Sequence, residues 1–182
     1  PTLDLFHRMV ATYYTTYKSV ARLFFSDDIE KLLKFETQGQ SKRWKVKSVT
    51  PSSFSLYPFS CSQEWQTLIV FPDLWTMFNT LPAERFNDET LKWWNGPLAF
   101  LSATQTEKQK DVRRWEVKKW SISVILCTYA EIFQDFHDLK KIIFVDPHKR
   151  YYANQQDPRY KVWDVVEEMK RLYGAELAIF WV

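Results

Sequence analysis

Apolar side chains recur along residues 3–25 at Leu3, Phe6, Val10, Tyr13, Tyr17, Val20 and Phe24. Steps of three and four put them on one face, so the spacing predicts an N-terminal helix. Ser26-Asp27-Asp28 offers side-chain oxygens to the orphan amides of a helix start. A short second helix is expected there, carrying Ile29, Leu32, Leu33 and Phe35 and ending near Gly39. Then the period changes. In RWKVKSV, Trp44, Val46 and Ser48 alternate with Arg43, Lys45 and Lys47, the pattern of a strand with one cationic face. FSLYPF reads as a second strand beyond the Pro51-Ser52-Ser53 turn, with Pro58 at its end or on an edge. TLIVF, residues 67–71, reads as a third, buried strand.

Pro72 ends that run, and Asp73 starts a short helix through Leu81. Another helix is expected from Asp88 to Trp94, stopped by Asn95-Gly96-Pro97. LAFLS is a strand. Residues 106–137 read as one long helix, basic in its first half and apolar nearly all round from Trp120 to Phe136. KIIFV is a strand, and residues 161–173 form an amphipathic helix with Val162, Val165, Val166, Met169 and Leu172 inward, capped by Gly174. ELAIFWV is apolar enough to be a central strand. The order predicts one α/β domain with a mixed sheet. An antiparallel three-strand meander is followed by αβαβαβ with right-handed crossovers. An N-terminal helical segment, 1–38, packs on a sheet-containing core, 41–182.

Composition narrows the chemistry. Average usage would give about 13 glycines in this length; there are 3, and Gly39, Gly96 and Gly174 are isolated. Phosphate-cradling loops need clustered Gly for close backbone approach, so neither a P-loop nor a GxGxxG fingerprint exists. The formal charge of +3 is mildly basic, short of a dedicated polyanion binder. Cys61 and Cys127 form no CxxC and no Cys/His cluster, and His7, His137 and His148 are scattered. A structural zinc is therefore not expected, nor any other cofactor. Both cysteines read as reduced core thiols of an intracellular protein in the cytoplasm or nucleus. No apolar run reaches transmembrane length. The chain opens on Pro1 rather than Met, which is read as a piece of a longer protein.

By element order alone, a meander followed by alternating helices and strands matches ribonuclease-H-like and restriction-endonuclease topologies. Their metal chemistry needs paired carboxylates on the first strands. RWKVKSV carries none, and Glu64 is followed by Trp65 and Gln66 rather than by a Glu-x-Lys lysine. A nuclease-like scaffold without its metal ligands fits better than an active nuclease. Asp73, Asp146 and His148 are the remaining catalytic candidates, because each follows a predicted strand and ligands collect beyond the carboxyl ends of such strands. Asp-Pro also caps turns and starts helices, and that structural reading is favoured over a catalytic one for this set.

Three segments interleave cations with aromatics, the combination that holds phosphates and stacks bases. They nominate Lys42, Arg43, Lys45 and Lys47, then Arg113 and Arg114, then Lys149 and Arg150. Nine Trp and nine Tyr make such adjacency common by chance. Trp and Tyr are also hot-spot residues of protein interfaces, and Trp93 and Trp94 cannot both face inward on a helix. With Tyr151, Tyr152 and Tyr160 they are the partner-binding candidates; Trp75, Trp115 and Trp120 raise the same question more weakly. The leading expectation is a non-catalytic protein-interaction domain of a larger intracellular assembly. The alternatives are an RNA- or DNA-binding domain on the nuclease-like scaffold and a metal-dependent hydrolase using Asp73, Asp146 and His148.

Overall fold

A computed structural model describes residues 1–13, 15–25, 64–81, 98–149, 152–153 and 158–182. Two helices come first, α1 (Thr2–Tyr13) and α2 (Tyr17–Phe24). They are followed by β1 (Gln66–Phe71), α3 (Leu74–Thr80), β2 (Leu98–Leu101) and α4 (Glu107–Lys118). The chain then runs through β3 (Val124–Thr128), a 3-10 turn at Tyr129–Glu131, β4 (Leu139–Val145), α5 (Val162–Tyr173) and β5 (Glu176–Phe180).

The strands make a five-stranded sheet of order β2-β3-β1-β4-β5, parallel at every pairing. The expected antiparallel meander is thereby overturned. Its third strand is β1, which lies at the centre of the sheet and pairs in parallel with β3 and β4. All six β1 residues are buried, the mark of a strand covered on both faces, whose neighbours must arrive by crossover. The two predicted strands around 43–49 and 54–59 lie outside the described residues, as do the helices expected at 26–39 and 88–94.

Alternate residues of each strand build two cores. Leu68, Val70, Ala99, Leu101, Ile125, Cys127, Ile142 and Phe144 face α1, α2, α4 and α5. Ile69, Phe71, Leu98, Phe100, Val124, Leu126, Ile143 and Val145 face α3 and Leu81. Travel from β1 to β2 runs one way along the sheet and every later step runs the other way. α3 accordingly lies on one face, α4 and α5 on the opposite one, as crossovers of a single hand require.

Local chemistry fixes the boundaries. The Thr16 hydroxyl accepts from the Ser19 amide at 3.1 Å and restarts the helix, so the expected helix over 3–25 is two. A Thr106/Gln109 capping box opens α4. The predicted long helix over 106–137 stops at Lys118. Ser121 N donates to Glu116 O and Trp120 N to Val117 O, the paired bonds that close a helix end, with Trp120 left-handed at φ 59°. The apolar run beyond it is β3, so Cys127 sits in a strand and not mid-helix; it is buried and free. β5 closes one side of the sheet rather than filling its centre. Among the described residues no helix is long and apolar enough to cross a membrane.

Candidate functional site

In an open parallel sheet, ligands bind beyond the carboxyl ends of the strands, where chain direction along the sheet reverses. Here that point lies between β1, whose connection leaves one way, and its neighbour β4, whose connection leaves the other. Asp73 follows β1 and Asp146 follows β4, so the topology does bring two sequence candidates to the same edge.

Both carboxylates have structural partners. Asp73 caps α3, its Oδ1 accepting from Thr76 N at 2.7 Å and its Oδ2 from Thr76 Oγ1 at 3.0 Å. Asp146 is only 2% exposed, with a left-handed backbone at φ 46° that an Asp side chain tolerates. Its amide donates to Phe180 O at 2.8 Å and its Oδ1 accepts from Val182 N at 3.0 Å, tying the end of β4 to the end of β5. Lys149 Nζ lies 3.9 Å from Asp146 Oδ2. His148 is exposed and stacks on Trp181, centroids 5.3 Å apart and planes 26° apart. Among the described residues no group of three or more His, Cys, Asp or Glu side chains is arranged to hold a metal ion.

Tyr152 fills the position between β1 and β4. Its hydroxyl donates to Val70 O at 3.1 Å and Val145 O at 2.5 Å, one carbonyl from each strand end. Its ring packs edge-on against Phe144, at 4.4 Å, and Tyr129, at 6.4 Å. Burial, followed by the negative charges nearby, pushes the hydroxyl far above the usual tyrosine range, so it stays a donor. Tyr160, in an edge-on contact with Phe133, is equally deep in the core. The structure therefore places Tyr152 and Tyr160 inside, where neither presents a face to a partner, because each has apolar rings to pack against. Trp93, Trp94, Tyr151 and Arg150 lie outside the described residues, as do Lys42, Arg43, Lys45 and Lys47.

The two nominated α4 cations, Arg113 and Arg114, are held by carboxylates. Arg113 Nη1 lies 2.7 Å from Glu116. Arg114 reaches Asp111 at 3.3 Å, Glu131 at 3.5 Å and Glu107 at 3.7 Å. Lys110 joins them, 2.8 Å from Glu131 and 3.1 Å from Glu107. Burial pulls the Lys110 pKa down, but the bond and charge of Glu131, then of Glu107, outweigh it and leave a net rise. This half-hidden network joins α4 to the turn after β3. Sequence reasoning missed it, because Glu131 was read as a mid-helix residue.

Two exposed aromatics remain at the carboxyl edge. Trp75, in the first turn of α3, is 75% exposed, and Trp181, just after β5, is 62% exposed. Trp163, in the first turn of α5, is partly exposed beside them in the topology. Trp181 escaped notice because ELAIFWV reads as a buried strand throughout. No known protein-family model matches the chain, and a search of curated proteins finds no match.

Proposed function

We propose that the chain is a non-catalytic interaction domain that binds a protein partner through the carboxyl edge of its sheet, as part of a larger intracellular assembly. The observation that carries this reading is the division of labour at that edge. The carboxylates that could do chemistry serve helix and strand ends, while Trp75 and Trp181 stand in solvent. Large exposed indoles contribute interface energy out of proportion to their number. The free, buried Cys127 thiol suits a reducing compartment.

The test is affinity capture from the native extract with the wild-type chain and a Trp75→Ser/Trp181→Ser variant. Both indoles are exposed, so the variant should melt with the wild type. Expected is a discrete partner held by the wild type and lost from the variant; equal recovery by both would overturn the assignment of this edge. One observation favours a second reading, single-stranded nucleic acid: Trp181 stacks on His148, the residue before Lys149 in the chain, and offers a π face. Anisotropy titration with labelled single and double strands at about 50 and 200 mM salt separates the two, since phosphate contacts weaken steeply over that range.

A further inference from the structure

The last register pair of β1 with β4 is Val70 with Phe144. Beyond it the pairing stops, and the carbonyls of Val70 and Val145 are acceptors at the carboxyl end of the two strands, where an open parallel sheet has its crevice. Both are met by the one hydroxyl of Tyr152, which shares its hydrogen between them. The aromatic walls are Phe144 and Tyr129. The backbone around Tyr152 is held as well. Its amide donates to Lys149 O at 3.2 Å, and Ala153 bridges to Lys161 at the start of α5.

We propose that the carboxyl-end crevice between β1 and β4 is a phenol-binding site whose occupant is Tyr152 of the same chain. The side chain is a latch. It seals the position where an open parallel sheet would take a ligand. Two convergent carbonyls select a hydroxyl donor, and edge-on rings select a flat apolar body, so the crevice is matched to a phenol over a plain arene. This holds whatever partner the outer edge takes.

Emptying the site exposes its preference. Tyr152→Ala should melt several degrees below the wild type and regain part of that loss in millimolar p-cresol. Toluene, the same shape without the hydroxyl, should restore less, and the wild type should respond to neither. Equal rescue by the two compounds, or a wild type that shifts as much as the variant, would overturn the proposal. Should Tyr152→Ala fail to fold, Tyr152→Phe decides the matter. It keeps the ring and removes the donor, so a lowered melting temperature is expected, and melting with the wild type would remove the hydroxyl bridge from the account.

Discussion

Gln66 opens β1, fully buried, and its amide stitches three elements together. Nε2 donates to Val117 O at 2.7 Å and Ile122 O at 3.0 Å; Oε1 accepts from His137 N at 2.8 Å and Asp138 N at 3.2 Å. Only a side chain with donors on one atom and an acceptor on the other can serve all four groups. Gln66→Leu strands them in the core, and each buried group left unmet costs about 1–3 kcal/mol. A loss of at least about 2 kcal/mol in urea unfolding is therefore expected, and a variant as stable as the wild type would dismiss the role. Nothing in TLIVF or in the residues before it announces this, because the partners arrive from positions 51 to 72 residues away.

Among elements, the ionic network between α4 and the turn after β3 is the most exacting contact. Lys110 and Glu131 are 9% and 8% exposed in their side chains. Removing one member of a buried pair costs about 3–5 kcal/mol, whereas replacing both with apolar groups can be nearly neutral. Glu131→Gln should thus destabilise more than Lys110→Met with Glu131→Leu; the reverse order in denaturant melts would mark the pair as net stabilising. α1 meets α5 in part through Arg8, which joins a Glu168–Arg171 pair on α5. Arg171 hydrogen-bonds Glu168 at 2.6 Å and Arg8 does so at 3.0 Å. The Arg171 bond first, then the two positive charges, hold the Glu168 carboxyl below its usual range despite its partial burial. A depressed carboxyl contributes stability that is full above its unfolded pKa, about 4.3, and lost as pH falls through the folded value. Arg8→Ala/Arg171→Ala should melt below the wild type near neutrality, with the gap closing below about pH 4. A gap independent of pH would assign the effect to packing. Element types were legible where periodicity was clean, as in α5 with its Gly174 stop. The end of α4 was not legible, because Trp120 holds the left-handed position that Gly usually marks. The run after it is apolar on every side, a pattern that buried helix and buried strand share.

At the scale of the molecule, the alternation of helices and strands told the α/β class and the parallel character of the later strands. It said nothing of strand order, which is set by which faces the crossovers cover. Of the candidate site, the sequence placed Asp73, Asp146 and His148 at strand ends and offered capping as the role of the acids, but it did not show that Asp146 would reach the amide of Val182 after β5. It also read Tyr152 as an outward aromatic, because one of the two carbonyls that receive it, that of Val70, lies 82 residues away in the chain. The order β2-β3-β1-β4-β5 also governs how the chain can assemble in time. β1 and β2 are consecutive in sequence but not neighbours, so among the described strands no hydrogen-bonded pair can close until Val124–Thr128 has been made. Such long loop closures come before any reward in sheet contacts and slow the search. A nascent chain halted just after α4 would hold β1 and β2 without the strand that pairs with both, a state that leaves apolar strand surface for a chaperone to grip.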